Sequence, residues 1–376
     1  MTRTHLYLHW RDRNVARRFR RAVSLHSHTL YSRESLAFIP RYTSKVPLLG
    51  EAIRRHQRRY RERTGRELDF SRAFLRPPLA PREALELERA QIENVLDLDP
   101  LVSLSDHDDI QAGALLAVLN RDAPISVEWT VPFGPSFFHI GIHNLPAARA
   151  QATMRELQEV TAAPTRERIS QTLAAVHEFP GALVVWNHPA WDEARIGSIE
   201  HAQLLGQFLE RFGEWIHALE LNGLRPWREN RLVIRVAGRS GHPLISGGDR
   251  HGTEPNANLN LTNAQNFAEF AEEIRRDRHS DVLFMPQYRE PLRLRMIETM
   301  HAILRDYPEF PAGRRYWRDR VFYTSEDGSV QPLSAAWRGE GPWIVQAFVA
   351  FIRASRIPQL RGALRLALAD APEIAP

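Results

Sequence analysis

The sequence predicts an α/β protein in which strands alternate with helices as βα units around a parallel sheet. Three observations carry this expectation. Short apolar runs of four to six residues alternate with stretches of helical periodicity. Polar clusters fall directly after those runs, where a closed barrel of such units places its active site. The chain of 376 residues, 43% apolar and 25% charged, holds ample material for a globular core. That length accommodates two or three domains, or one large barrel with extensions.

In chain order, residues 1–21 carry seven arginines and lead into a first strand at 22–25. An Arg-rich segment at 51–66 sets seven arginines against two glutamates, with the helical spacing of a solvated face. The Pro-rich stretch 76–81 punctuates it, so 35–82 reads as an insertion between the first strand and its helix. A helical stripe at 83–97 (Leu85, Ile92, Val95, Leu96) precedes a buried strand at 100–104 and then Ser105-Asp106-His107-Asp108. Helix 109–120 leads to a strand at 125–129, which Glu128 closes. A loop rich in Pro and Gly then precedes the apolar run 137–142, which contains His139.

Helix 165–178 is followed by a strand at 182–186 and by Asn187-His188-Pro189. Helices 200–212 and 227–238 flank the run 216–221, and Leu244-Ile245 runs into Gly247-Gly248-Asp249-Arg250-His251. Helix 264–276 and the run 282–285 complete the unit. Residues 1–290 therefore read as the main body. Residues 291–376 lack its rhythm and read as a mainly helical extension with a Trp- and Phe-rich middle.

Composition excludes several classes. With no cysteine, disulfides and thiolate metal sites are ruled out, leaving His, Asp and Glu as ligands. No apolar run approaches the roughly 18 residues that span a bilayer, and the N-terminal stretch has no apolar signal core. The expectation is a cytoplasmic enzyme without a membrane partner. The net charge of +5 and pI near 9.8 admit an anionic partner. They also follow from composition alone, because Lys45 is the only lysine among 50 basic residues.

The polar strand ends form a set of imidazoles and carboxylates: His26 and His28, Asp106 and His107, Glu128, His139, His188, and Asp249 with His251. On a strand, residues two apart share a face, so His26 and His28 project into one space. Nitrogen and oxygen donors without sulfur suit two or three divalent ions such as Mn²⁺, Zn²⁺ or Fe²⁺. One glutamate bridging two of them would hold them roughly 3.5–4 Å apart, the spacing used for hydrolysis at phosphorus.

This order of motifs resembles the PHP (polymerase and histidinol phosphatase) family of metal-dependent phosphoesterases. The matching stretches are Ser24-Leu25-His26-Ser27-His28-Thr29, Leu104-Ser105-Asp106-His107-Asp108, Val127-Glu128 with His139, Asn187-His188-Pro189, and Gly247-Gly248-Asp249-Arg250-His251. The resemblance spans residues 22–285 apart from the insertion. It implies a distorted (β/α)7 TIM-like barrel. By the same resemblance His26, His28, Glu128 and Asp249 hold one metal, Glu128 bridges to a second held by His139 and His188, and His107 and His251 help hold a third.

The chain departs from the family where the first motif would continue to Ser-Asp-Gly: it has Ser32-Arg33-Glu34. An arginine cannot ligate a cation, so one reading makes Arg33 a stand-in for the third ion, gripping a phosphate oxygen. The other shifts the ligand by one position to Glu34. The implied reaction is attack of a metal-bridging hydroxide on a phosphoester. Asp249 or His251 would relay its proton, and His107 would serve as acid for the leaving oxygen.

The expected substrate is a small phosphorylated metabolite, a nucleotide or a short oligonucleotide. Hydrolysis of a different bond, or a non-catalytic metal-binding module, are the alternatives. Outside the set, His143 reads as a supporting or surface residue, and His217 and His242 as structural. Asp106 reads as a partner that orients a ligand, Glu220 as such a partner or as one half of a barrel salt bridge, and Asp108 and Asp109 as helix caps. Arg225, Arg250 and Trp186 are candidates for substrate contact. The sequence carries no code for oligomeric state.

Overall fold

Fifteen strands are assigned in the computed structural model, which describes residues 3–40, 47–65, 67, 69–337 and 341–368. Five of them, β1 (Arg3–Leu8), β2 (Arg21–Leu25), β5 (Asp99–Ser103), β12 (Asn258–Thr262) and β13 (His279–Phe284), form one sheet in the order β1-β13-β12-β2-β5. A second sheet runs β11-β10-β9-β8-β7-β6. Its members are β6 (Ser105–His107), β7 (Ser126–Phe133), β8 (Ser136–His143), β9 (Leu183–Asn187), β10 (Ala218–Asn222) and β11 (Leu244–Gly247). The architecture is mixed α/β with a curled sheet and many helices.

The expected all-parallel pattern holds for β1/β13, β2/β5, β6/β7, β9/β10 and β10/β11. It fails at β7/β8, β8/β9, β12/β13 and β12/β2, which are antiparallel. For β8 the cause lies in the sequence between Phe133 and Ser136. Gly134 adopts φ +60°, so β7 turns straight back into β8 without a helix. Glu128 is consequently the third residue of an eight-residue strand and does not end an apolar run.

The segment after β2 ties the two sheets together. Ser105 N donates to Ser27 O (3.0 Å), Gly248 N to Leu25 O (3.0 Å), and Asp249 N to His26 O (2.7 Å). The end of β2 is thereby bonded to both outer strands of the second sheet.

Helices cover the second sheet for the usual amphipathic reason. In Ser198–Phe212 the buried residues Leu204, Leu205, Phe208 and Phe212 recur at three- and four-residue spacing. They join Trp129, Phe138 and Trp186 in the largest apolar cluster, where each buried side chain contributes roughly 1.5–3 kcal/mol. Phe138 meets Trp186 nearly edge to face, with centroids 5.0 Å apart. Asn266 and Thr165 cap the helices that follow them, each accepting from a first-turn backbone N–H.

The insertion and the extension meet in a third, antiparallel sheet. It combines β3 (Glu34–Ser35) and β4 (Ala73–Leu75) with β14 (Val321–Thr324) and β15 (Val330–Pro332). Leu36 and Leu75 share a core with Ile303, Trp317, Val321 and Ile352. The extension thus contains strands as well as the helices Leu292–Leu304, Trp343–Ala354 and Pro358–Ala367. Among the described residues, no helix is long and apolar enough to cross a membrane.

Candidate metal centre

The histidine and carboxylate side chains scattered between His26 and His251 meet around Glu128, which is fully buried near the start of β7. Its Oε2 lies 3.0 Å from His26 Nε2, 3.3 Å from His28 Nε2 and 3.3 Å from His107 Nδ1. Its Oε1 lies 3.1 Å from His188 Nε2 and 3.5 Å from His139 Nδ1, and accepts from Asn187 Nδ2 at 3.0 Å. Asp249 Oδ1 stands 3.5 Å from His28 Nε2 and 3.7 Å from His26 Nε2.

A third group adjoins these. Glu34 Oε2 lies 3.1 Å from His251 Nε2 and 3.4 Å from His107 Nε2, and Glu34 Oε1 is 3.7 Å from His28 Nδ1. Four triads or tetrads of ligand atoms result, each mutually within 4.8 Å: His26/Glu128/His188, His26/His28/Asp249, His107/Glu128/His139 and His28/Glu34/His107/His251.

Backbone conformation helps aim the ligands. His26 (φ 61°), His188 (φ 27°) and Asp249 (φ 56°) all occupy the left-handed region that non-glycine residues avoid. Such strain persists only where the surroundings hold it, and here it turns three strand ends into one pocket.

Tautomers are set from behind. His26 Nδ1 bonds Glu220 Oε2 at 2.7 Å, and His251 Nδ1 donates to Asp249 O at 2.8 Å. Each bond turns Nε2 toward the pocket. Glu220 itself needs close backbone approach: a Cβ on Gly247 would lie 2.1 Å from its carboxylate.

Electrostatics follow from burial and proximity. Burial opposes charge on Glu128, yet His26, His107 and His139 and the bond from His188 hold its carboxyl well below the usual carboxylate range. Burial likewise opposes ionisation of Asp249, and the neighbouring His28, His26 and His251 reverse it. His28 is pushed down to about 3 by burial and by His251, so its ring is neutral near pH 7. Burial disfavours charge on His251, but Glu34 lifts it to about 9.

The cluster fits divalent ions on one internal test. His26 Nε2, His28 Nε2 and Glu128 Oε2 are buried, close together, and without a hydrogen-bond partner among the described residues. Desolvated lone pairs of this kind cost several kcal/mol unless something positive meets them. The donors are imidazole nitrogen and carboxylate oxygen throughout, the set that borderline and hard divalent ions take.

Every expected ligand is in this pocket: His26, His28, His107, Glu128, His139, His188, Asp249 and His251. Arg33 is not. It is exposed, with its guanidinium 5.4 Å from the centre of the Phe74 ring, and its neighbour Glu34 faces inward. Ser32 makes that turn: its Oγ donates to Glu34 Oε1 (2.5 Å) and accepts from His107 N (3.1 Å).

The supporting residues sort differently from expectation. Asp106 grips Thr29 through its N (2.5 Å) and Oγ1 (2.7 Å), anchoring the loop and orienting no histidine; burial pushes its carboxyl up to about 7. Asp109, one residue before the N-cap Ile110, accepts from Gln111 N, whereas Asp108 accepts from Thr130 N. His217 and His242 bond Val184 N and Gly213 O, away from Glu128, while His143 bonds Ser103 at the edge of the cluster. Trp186 is wholly buried, which removes it as a substrate contact. Arg250 is paired with buried Glu88, and Arg225 with Glu229.

Glu193 was not anticipated. Its Oε2 lies 3.8 Å from His139 Nδ1, and burial pushes its carboxyl up to about 7. It sits in a non-helical loop after His188, where no periodicity could mark it.

No protein-family profile matches the chain, and no curated protein sequence matches it. Solved structures do resemble it. PsfC of Pseudomonas syringae PB-5123 aligns over 76% of this chain and 98% of its own, at a TM-score of 0.45 and 14% identity. A Bifidobacterium adolescentis protein, provisionally assigned as a metal-dependent phosphoesterase, aligns over 53% and 92% at 0.33 and 16%. A Chromobacterium violaceum amidohydrolase with bound sulfate and no metal aligns over 46% and 83% at 0.31 and 18%.

Proposed function

We propose that the protein is a metal-dependent hydrolase of phosphoesters, built on a distorted barrel of which the two curled sheets are parts. In this reading residues 1–290 form the catalytic body of a cytoplasmic enzyme, and the insertion with residues 291–376 forms its flank. The observation that carries the proposal is the convergence of His26 Nε2, His28 Nε2 and Glu128 Oε2, buried and unpartnered, beside Asp249. The order of the five sequence motifs supports phosphorus as the centre attacked.

His26, His28, Glu128 and Asp249 would hold one ion, Glu128 with His139 and His188 a second, and Glu34 with His107 and His251 a third. When bound, Mn²⁺, Zn²⁺ or Fe²⁺ would supply Lewis-acid charge and make water acidic enough to react near neutral pH. The chain's own residues do the positioning. Glu220 holds the His26 ring through Nδ1, Asn187 fixes Glu128 Oε1, and the Ser32 turn presents Glu34. The two His107 nitrogens face carboxylates of the same set, Nδ1 that of Glu128 and Nε2 that of Glu34. Glu34 replaces Arg33 as the residue completing the third group.

The reaction adds water across a P–O bond of a small phosphorylated metabolite, nucleotide or short oligonucleotide. The test is hydrolysis of p-nitrophenyl phosphate, bis-p-nitrophenyl phosphate and a short oligonucleotide by purified protein with Mn²⁺. Turnover of at least one of them, lost on chelation and in Glu128→Ala, supports the reading. Turnover of none by metal-loaded protein overturns it.

A further inference from the structure

A second cluster of ligating side chains lies on β1 and β13, remote from Glu128. The two strands are parallel, with His5 opposite Asp281 and Arg3 opposite His279. Side chains alternate along a strand, so His5 and Tyr7 share one face with His279 and Asp281. Thr4 and Ser280 point the other way, their hydroxyls 2.9 Å apart. On the shared face His5 Nδ1 is 3.0 Å from Asp281 Oδ1, and His279 Nε2 is 2.7 Å from Asp281 Oδ2. One donor atom from each residue lies within 4.8 Å of the other two.

We propose that His5, His279 and Asp281 form a separate site for a divalent ion of the Zn²⁺ class, pinning the N-terminal strand to the sheet. Two imidazoles and one carboxylate are a donor set that Zn²⁺, Co²⁺ and Ni²⁺ accept, with further positions left for water. Exposure is arranged to match. The Asp281 side chain is only 6% exposed, while those of His5 and His279 are 54% and 37% exposed, so an ion can reach the donors from solvent. Tyr7 Oη donates to Asp281 Oδ1 at 3.1 Å and fixes the carboxylate's orientation from below. Glu273, on the helix Phe267–Arg275, adds a second negative charge near His279 and Asp281.

The placement gives the site a purpose. β1 is the outermost strand of its sheet and is paired on one side only, with β13. An ion gripping one residue of β1 and two of β13 crosslinks that edge, and its binding free energy adds to the docking of the strand. The site also stands clear of the catalytic pocket. Asp281 pairs with Leu261, and Leu261 with Ala22, at the start of β2, whereas His26 follows the end of that strand. About 13 Å of extended chain separates those two levels. The inference does not rest on the phosphoesterase reading.

The competing arrangement is a network in which both rings donate protons to Asp281 and no ion enters. Zn²⁺ binding to full-length wild type, His5→Ala and His279→Ala separates the two, by equilibrium dialysis with metal analysis and by hydrogen exchange at residues 3–8. Both histidines are partly exposed, so the variants keep their fold. The proposal expects each variant to bind about one equivalent less than wild type, or to bind that equivalent at least tenfold more weakly. It also expects Zn²⁺ to slow exchange at 3–8 in wild type alone. Equal equivalents in all three proteins, with exchange unmoved by Zn²⁺, would overturn it.

Discussion

Glu128 and Glu88 are both fully buried glutamates, and they are satisfied in opposite ways. Glu88 Oε1 accepts from Arg250 Nε (2.8 Å) and Ser27 Oγ (3.4 Å), and its Oε2 from Ser24 Oγ (2.9 Å) and Asn256 N (3.1 Å). Donors and acceptors there complement one another. Around Glu128, by contrast, imidazole lone pairs and carboxylate oxygens converge on each other, and Oε2 has no donor at all among the described residues. Burial alone therefore does not mark a site. A surplus of acceptors aimed at a shared centre does, because only protons or cations can neutralise it.

The largest effect should come from Glu128. Glu128→Ala is expected to abolish tight metal binding and to lower phosphoester hydrolysis by more than the roughly 10–100-fold that loss of a supporting partner costs. Added Mn²⁺ should raise the melting temperature of wild type and leave this variant unmoved. A variant that kept both responses would erase the contrast with Glu88.

Glu88→Ala should instead act on stability, leaving the Arg250 charge buried and alone. About 3–5 kcal/mol should disappear in urea denaturation, with or without chelator. A metal-dependent loss would instead place Glu88 in the site. Glu220→Gln lies between the two cases. It keeps the shape but weakens the hold on His26 Nδ1, and metal affinity measured by competition with a chelating dye should fall roughly 10–100-fold.

A buried group outside both clusters sharpens the point from the neutral side. His217 is pushed down to about 2, first by burial and then by His177 and Arg275, while its Nδ1 accepts from Val184 N at 2.9 Å. The unfolded chain takes up this proton near pH 6.5 and the folded chain does not until far lower. Its contribution is thus complete above pH 6.5 and declines on acidification, by about 2 kcal/mol at pH 5. Urea titrations of wild type and His217→Gln should differ in slope against pH by about one proton over that interval.

The smallest effect belongs to Arg33. Exposed over Phe74, it should tolerate alanine with less than about a twofold change in kcat/KM. Glu34→Gln should lower the number of bound ions. A large effect at Arg33 and none at Glu34 would restore the arginine reading.

Much of the candidate pocket was legible because several of its histidines and carboxylates sit where short apolar runs stop. His26 and His188 each follow a strand directly and Asp249 follows one residue later, and that spacing survives without any knowledge of packing. Glu34 was harder to place. Spacing does not distinguish it from Arg33, since the choice depends on the Ser32 turn and its bond to His107 N. β12 escaped notice because its sequence alternates Asn and Leu while both faces are buried. Asn258 Nδ2 donates to Leu221 O and Asn260 Nδ2 to Ser246 Oγ. β1 was hidden in an arginine-rich segment, and the β7/β8 hairpin in a Pro/Gly stretch that looked like a loop between βα units.

The most direct test of the central claim is a metal count by mass spectrometry on wild type, Glu128→Ala and Glu88→Ala after equilibration with Mn²⁺ and dialysis. The account predicts at least two ions per chain in wild type and in Glu88→Ala, and loss of the ions held through Glu128 in Glu128→Ala. Wild type that retains no ion, or Glu128→Ala that retains as many as wild type, would contradict it.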